Sequence, residues 1–326
     1  MRLVELVYSD DAFATMLLMS SIVADKEELV RPLSASEYYR LRAETERSPI
    51  VSLGRMIGMD LSGVKRALNV TEKEAYRICV LLSRAMPLSY ALEQFDEACI
   101  RIVTVDETHY PARLLRRLHD QAPPMLYVCG SLPLIAQPGI ALVGEAGRHG
   151  MADCARRLAR EARDSGFALF AGDEPGAGRI AEAEALEGGG RYVLFLAGAM
   201  SGRIYQPGVS EMIIERRALA LSVVHPDAQY THAHALERNR CLYALADAAF
   251  VLAAGQEKGV LCASASAAMR NGWIDHLYAL DDAALPGNRR LMERGAGRFK
   301  LDEAVDLKKM RSQWREPSYE QISLLD

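Results

Sequence analysis

The sequence predicts an α/β fold: a parallel sheet covered by helices on both faces, preceded by a small helical domain. From residue 100 onwards, short apolar runs of strand length alternate with amphipathic segments of helix length, a pattern typical of parallel sheets buried on both faces. Before residue 98 the pattern is helical, with short polar turns. We therefore expect a helical domain over residues 1–97, an α/β domain over 98–300, and a C-terminal helix and tail over 301–326.

The helical domain is predicted from segments at residues 13–24, 34–45 and 71–85. The third segment opens on Thr71 and Glu74, which have the spacing of a capping box. Residues 58–68 also resemble a helix-hairpin turn that can touch a DNA backbone, but a helix pair that only packs is the simpler interpretation.

The α/β domain is predicted from strand and helix candidates in alternation. Residues 100–105 form a strand, a basic helix starts at Tyr110-Pro111, and residues 125–130 form a second strand. Residues 139–143 read as a strand that breaks into a glycine-spaced turn and then a helix over residues 151–165. The later strand candidates are residues 167–171, 192–197, 220–224, 248–253 and 276–280, and the later helix candidates are residues 178–187, 209–218, 232–246, 260–271 and 285–294.

Four glycines, Gly144, Gly172, Gly198 and Gly255, follow strands at the points where they end. Ligands of open parallel sheets bind outside the carboxyl ends of the strands. A turn from strand to helix also presents free backbone N–H groups, which suit phosphate or another anion. However, any α/β domain needs small residues in such turns, so the spacing alone does not establish a site.

Composition limits the class of protein. The net charge of −4 argues against a broad basic surface for nucleic acid, although it leaves room for a local basic pocket. The six cysteines stand singly, without a C-x-x-C pair, which favours a reduced, cytoplasmic protein. The first apolar run, residues 13–24, is too short to span a bilayer. We expect no signal peptide, no membrane span, no metal and no cofactor.

A series of landmarks, in this order and spacing, covers residues 100–298. They are Tyr110-Pro111, Pro123-Pro124 leading into Met125–Gly130, Ala141-Leu142-Val143-Gly144, Ala185-Leu186-Glu187-Gly188-Gly189, His225-Pro226-Asp227-Ala228, Arg238-Asn239-Arg240 continued by residues 241–247, Lys258-Gly259, and Pro286-Gly287-Asn288 running into Gly295-Ala296. In this order the chain resembles the DprA/Smf family of DNA-processing proteins, and in particular its shorter DprA-like branch.

The resemblance implies an extended Rossmann-like domain that binds single-stranded DNA without catalysis, in many members handing it to a RecA recombinase. A recombination or DNA-defence context is the expected setting. A net negative charge with a depleted pocket further favours a homo-oligomer or a member of a complex, because several weak sites on one strand multiply through effective concentration.

Three loops depart from the family pattern. Where the family has Gly-Ser-Arg after the first strand, this chain has Gly144-Glu145-Ala146. Where the family has Ser-Gly-x-Ala-Arg-Gly-x-Asp, this chain has Ala171-Gly172 followed by Asp173-Glu174-Pro175-Gly176. Where the DprA-like branch has Lys-Gly-Gly-Thr-Trp, this chain has Lys258-Gly259-Val260-Leu261-Cys262. The glycines persist, but polar anchors are lost and carboxylates that repel phosphate are gained.

The candidate phosphate-binding residues combine loop glycines with the cations expected near them. They are Gly144, Arg148, Gly172, Arg179, Asn239, Arg240, Lys258 and Gly259. Arg240 is expected at a helix start, facing the pocket. Arg203 and Arg238 are either further pocket cations or solvated surface. Tyr205 and Tyr230 are candidates for base stacking, although plain packing is the simpler interpretation.

No catalytic arrangement can be argued from the sequence. His232 and His234 are two residues apart, so they do not share a helix face, and no third metal ligand is near them. Two alternatives to DNA binding stay open: a degenerate paralogue that acts as a protein-interaction subunit, and a sensor or hydrolase of a nucleotide-derived ligand. The acidic and apolar tail, residues 317–326, is a candidate docking segment.

Overall fold

The structure, a computed structural model, describes residues 8–21, 30–147, 150–301 and 303–314. Within these residues the chain forms a mixed nine-stranded sheet, mostly parallel, with helices between its strands and a helical N-terminal region. The predicted α/β class and its Rossmann-like character are therefore confirmed. The strand order is β1-β2-β6-β5-β4-β3-β7-β8-β9.

The N-terminal helices begin at side-chain caps that the sequence provides. Ser9 accepts a hydrogen bond from Ala12 N at the start of the first helix, three residues before the predicted start. The capping box predicted at Thr71 is confirmed, because its hydroxyl accepts from Glu74 N and the Glu74 carboxylate accepts from Thr71 N. The helices are α1 (Asp10–Met19), α2 (Ala35–Glu46), α3 (Leu61–Ala67), α4 (Glu72–Leu82) and α5 (Ala85–Glu97).

The rest of the chain alternates strands and helices, as the pattern predicts. The strands are β1 (Arg101–Thr104), β2 (Met125–Gly130), β3 (Gly139–Gly144), β4 (Ala168–Gly172), β5 (Tyr192–Leu196), β6 (Ala218–Ser222), β7 (Ala248–Ala253), β8 (Leu277–Leu280) and β9 (Gly297–Phe299). The helices are α6 (Ala112–Leu118), α7 (Met151–Asp164), α8 (Ala177–Gly188), α9 (Met200–Arg203), α10 (Pro207–Ile214), α11 (His232–Leu245), α12 (Val260–Arg270), α13 (Pro286–Glu293) and α14 (Leu307–Gln313). The helix α5 and the short elements α9 and β9 had no predicted segment of their own.

The chain divides into two compact units. The first unit comprises Met1–Ala136 and Val193–Leu245, and the second comprises Gln137–Tyr192 and Ala246–Asp326. Neither unit is continuous in sequence, because the chain leaves the first at residue 136 and returns to it at residue 193. The three-domain division predicted from the sequence stays a prediction.

The first unit contains the antiparallel part of the sheet. Strand β2 pairs antiparallel with β1, where Ile102 faces Tyr127, and antiparallel with β6, where Tyr127 faces Ser222. The sequence pattern indicated parallel strands throughout. It does not distinguish the two directions here, because a strand buried on both faces is a continuous apolar run in either direction.

The second unit contains parallel strands. Strand β3 pairs with β4 and β7, and β7, β8 and β9 follow one another in parallel. Phe250 anchors this core, stacking on Tyr278 at 5.2 Å and meeting Phe299 edge-on at 5.5 Å between ring centroids. Because the strands are parallel, the loops that follow β3, β4 and β7 lie along one edge of the sheet.

The C-terminal helix α14 packs on the second unit through Trp314. Its ring lies parallel to His276 and edge-on to Phe167, and its Nε1 donates to Tyr278 Oη at 3.1 Å. The predicted docking tail, residues 317–326, lies outside the described residues. No helix in the described part of the chain is long and apolar enough to cross a bilayer.

Candidate nucleic-acid interface

The loops after β3 and β4 are held together by close backbone packing. Gly176 has φ +134°, and a Cβ there would lie 2.0 Å from Gly144 O. Only glycine meets both conditions, because the positive φ and the close approach each exclude a side chain. Gly144 is itself packed against Ala253 N and the Cβ of Ala177, at 3.2 and 3.3 Å from an added Cβ. The retained glycines therefore fix the shape of this edge.

Glu145 connects the loop after β3 to the loop after β7. Its backbone N donates to Ala253 O at 2.9 Å, and its Oε2 accepts from Gly255 N at 3.0 Å. A Cβ added at Gly259 would lie 3.7 Å from Glu145 Oε1. The carboxylate that replaces the family's serine thus lies beside the start of α12, whose first turn has no side-chain hydrogen-bonded cap.

Asp173, in the loop after β4, forms an ion pair with Arg179 in the first turn of α8. Asp173 Oδ1 lies 3.1 Å from Arg179 Nη2, and Glu182 Oε1 lies 3.6 Å from Arg179 Nη1. The side chain of Arg179 is 39% exposed, so solvent reaches it. This candidate cation is therefore present at the edge but already has two carboxylate neighbours.

Lys258 and Gly259 lead into α12. Lys258 is exposed, and Gly259 is the N-cap residue of this 11-residue helix. The second unit thus contains five of the predicted residues: Gly144, Gly172, Arg179, Lys258 and Gly259. Arg148 lies outside the described residues.

Asn239 and Arg240 belong to the first unit, in the middle of α11. The expectation that Arg240 lies at a helix start is wrong, because α11 begins at His232. Thr231 Oγ1 accepts from His234 N, so the first turn is capped well before Asn239. Arg240 is half-buried and forms an ion pair with Glu237, and its Nε is buried without a hydrogen-bond partner in the structure.

Two further arginines of the first unit are buried. Arg238 is 3% exposed, donating from Nε to Asn239 Oδ1 at 2.9 Å and from Nη1 to Phe195 O at 3.3 Å. Arg203 is 4% exposed and donates to Gln206 Oε1 at 2.7 Å. The interpretation of both as solvated surface is therefore wrong. The guanidinium of Arg238 satisfies buried acceptors, a role that sequence spacing does not reveal.

The two candidate stacking tyrosines are exposed, contrary to the packing interpretation. Tyr205 is 62% exposed, and its hydroxyl donates to Ala98 O at 3.3 Å. Tyr230 is 53% exposed, and its ring meets His232 at 6.0 Å. Both belong to the first unit.

Asn288 is a residue of the site region whose role the sequence analysis missed. It is fully buried, and its Oδ1 accepts from Ala254 N at 2.8 Å. Its Nδ2 donates to Leu280 O at 2.9 Å and to Val251 O at 3.3 Å. One side chain thus joins β7, β8 and the first residue after β7. The motif Pro286-Gly287-Asn288 was recognised as a landmark, but a motif does not say which backbone groups its amide reaches.

Two cysteines close to candidate residues, Cys241 and Cys262, have thiols of low reactivity. Burial raises the pKa of the Cys241 thiol, beside Arg240, to about 12, against the lowering effect of that guanidinium. Burial also raises the pKa of Cys262 in α12, whose Sγ donates to Gly287 O at 3.6 Å. Both thiols are therefore protonated at neutral pH, so neither is an activated nucleophile. No cluster of metal-ligating side chains occurs in the described ranges.

The family model for DNA recombination-mediator protein A matches residues 101–308. This match covers more than half of the chain and every strand of the sheet. The chain belongs to the DNA recombination-mediator protein A family.

Two solved structures of DNA processing protein A have the same fold. The protein from Streptococcus pneumoniae is 16% identical with a TM-score of 0.59, over 87% of this chain and 99% of that protein. The protein from Helicobacter pylori, whose structure was described for its single-stranded DNA binding mode, is 20% identical with a TM-score of 0.53, over 67% of this chain and 99% of that protein. At these identities the likeness concerns the fold. No curated protein matches the chain.

At the edge formed by the loops after β3, β4 and β7, several side chains contact neighbouring groups of the protein. Glu145 accepts a hydrogen bond from Gly255 N, and Asp173 forms an ion pair with Arg179. Lys258 is exposed.

Proposed function

We propose that the protein binds single-stranded DNA, without catalysis, along the edge formed by the loops after β3, β4 and β7. The observation that carries the proposal is the family match, because residues 101–308 include all three loops and both of their described cations, Arg179 and Lys258. In this proposal the backbone of the loops at Gly144, Gly172 and Gly259 contributes to the DNA path, together with Arg148. Asn239 and Arg240, which lie in the first unit, are proposed as separate DNA contacts.

Surface cations supply the affinity in this proposal. Lys258 is free to meet a phosphate, and Arg179 can exchange Asp173 for one, because an exposed ion pair contributes only about 0–1 kcal/mol. With a net charge of −4, few such contacts give weak binding per subunit. Several copies on one strand multiply weak contacts through effective concentration. Homo-oligomerisation, or membership of a complex with a RecA-like recombinase, is part of the proposal for this reason.

The test is a salt titration of binding to single- and double-stranded oligonucleotides of one sequence. We expect preference for the single strand and a linear fall of log affinity with log salt. Lys258→Ala should reduce the steepness of that slope by about 0.7, the value for one lost phosphate contact on a single strand. Lys309→Ala, which removes the same charge from exposed α14, is the matched control and should leave the slope unchanged. Equal slopes for wild type and Lys258→Ala would remove Lys258 from the DNA path.

Polar and charged groups at this edge already contact one another, which favours a second candidate function, that of a protein-interaction subunit. Asp173 with Arg179, and Glu145 with Gly255 N, satisfy groups that would otherwise meet DNA. In this case the wild type should bind neither oligonucleotide at low salt. Light scattering should then detect assembly with itself or with a recombinase, and a monomer without either partner would argue against this candidate.

A further inference from the structure

The carboxylate of Glu145 lies between the loop after β3 and the loop after β7. Its Oε2 accepts from Gly255 N at 3.0 Å, and its Oε1 lies close to Gly259, the N-cap of α12. Its backbone is fixed on both sides, by Ala253 O through a hydrogen bond and by a β-bridge to Gly176. These backbone contacts orient the Glu145 side chain towards the loop after β7.

A carboxylate and a phosphate compete for the same donors. Both accept hydrogen bonds from backbone N–H groups, and both are stabilised beside the first turn of a helix. Gly259 brings no side chain into this space, and its N–H donates to Gln256 O at 3.2 Å. Because α12 has no side-chain cap of its own, the Glu145 carboxylate supplies the charged acceptor beside this helix start.

We propose that Glu145 is a built-in occupant of the anion position between β3 and α12, which a DNA phosphate must displace. This inference rests on the proposed function for its biological meaning. The alternative explanation is charge repulsion, in which Glu145 weakens phosphate binding only through its negative charge. Occupation instead requires that an oxygen of the side chain reaches Gly255 N and accepts its hydrogen bond. The two explanations therefore predict different phosphate affinities for variants that change the charge of residue 145 and for variants that change whether its side chain reaches Gly255 N.

Three substitutions of Glu145 separate the effect of its charge from the effect of its hydrogen bond to Gly255 N. Glu145→Ala removes both charge and acceptor. Glu145→Gln removes the charge but keeps an amide oxygen that reaches Gly255 N. Glu145→Asp keeps the charge but shortens the side chain by one methylene, so its carboxylate no longer reaches the amide.

The probes are inorganic phosphate, followed by line broadening in phosphorus NMR, and a short oligothymidine, followed by fluorescence anisotropy. Tryptophan fluorescence checks folding of each variant. Glu145→Ala should tighten phosphate and oligonucleotide binding by about tenfold to a hundredfold, the range for a competing hydrogen bond to a charged group. Glu145→Asp should show part of this gain, whereas Glu145→Gln should stay within about threefold of wild type. Glu174→Gln, which removes one charge from the neighbouring loop, should resemble wild type.

The outcomes separate this inference from the proposed function. Equal gains for Glu145→Gln and Glu145→Ala, with none for Glu145→Asp, would overturn occupation in favour of repulsion. Tight oligonucleotide binding by wild type with no gain in any folded variant would also overturn it, while leaving DNA binding intact. Phosphate gains as expected without oligonucleotide binding by any variant would support occupation and refute the proposed function.

Discussion

Asn288→Ala should destabilise the second unit by about 3–5 kcal/mol. The amide of Asn288 makes three hydrogen bonds at a position with no solvent exposure, to Ala254 N, Leu280 O and Val251 O. Each such bond contributes about 1 kcal/mol net. Alanine also leaves three buried backbone groups without the amide that bonded to them. The cost of leaving a buried group unsatisfied is about 1–3 kcal/mol, and this cost replaces the net value of the hydrogen bond. Taken at about 1–3 kcal/mol for the N–H of Ala254 and about 1 kcal/mol for each of the two carbonyls, which have a second lone pair, the expected sum is about 3–5 kcal/mol.

Urea unfolding followed by tryptophan fluorescence measures this cost directly. Both tryptophans of the chain, Trp273 and Trp314, lie in the second unit, so the signal reports the unit that contains Asn288. With a urea m-value of about 2 kcal/mol/M, the midpoint should fall by about 1.5–2.5 M. The control is Asn271→Ala, at an exposed asparagine of the same unit, which should change stability by less than about 0.5 kcal/mol. A midpoint for Asn288→Ala that matches this control would refute the assigned role.

Two further predictions concern carboxylates with arginine partners. The hydrogen bond from Arg77 lowers the pKa of Glu37 from 4.5 to about 2, so the stability it contributes is present above about pH 4.5 and is lost as pH falls towards 2. The melting temperature of Glu37→Gln should therefore lie below that of wild type at about pH 6 and approach it at about pH 3, and a constant difference across that range would contradict this origin. Asp173→Asn should remove the closer of the two carboxylates beside Arg179, leaving Glu182 at 3.6 Å, and tighten oligothymidine binding by up to about fivefold, the equivalent of one exposed ion pair. Adding Arg179→Ala should abolish the gain, and a gain that persists would mean that Arg179 does not carry it.

The order of elements could be predicted from the sequence because hydrophobic periodicity and caps are local signals. The capping box at Thr71 and Glu74 is an example, since both partners lie within one turn. The direction of β2 could not be predicted, because Met125–Gly130 is buried along almost its whole length and its pattern is the same in either direction.

The glycines of the candidate site were also predictable, whereas its side-chain contacts were not. A glycine at a strand end is visible in the sequence, but the 3.0 Å contact from Gly255 N to Glu145 joins residues 110 positions apart. For the same reason, Arg203 and Arg238 could not be distinguished from surface arginines. Their acceptors include Phe195 O, which belongs to a separate strand. Sequence spacing identifies where a loop occurs, but tertiary packing decides which groups inside it are already satisfied.

The packing of Gly176 against Gly144 has a consequence for how this edge can change during evolution. A side chain at residue 176 would meet Gly144 O at 2.0 Å, so mutation there disturbs the backbone of two loops at once. Ala146 is exposed, and the carboxyl end of Glu145 extends away from that backbone towards Gly255. Single substitutions at residues 145 and 146 can therefore change the charge and hydrogen bonding of this edge while the main chain stays in place. The close packing of the two glycines fixes the backbone path of both loops, whereas the side chains beside them are open to change without loss of the fold.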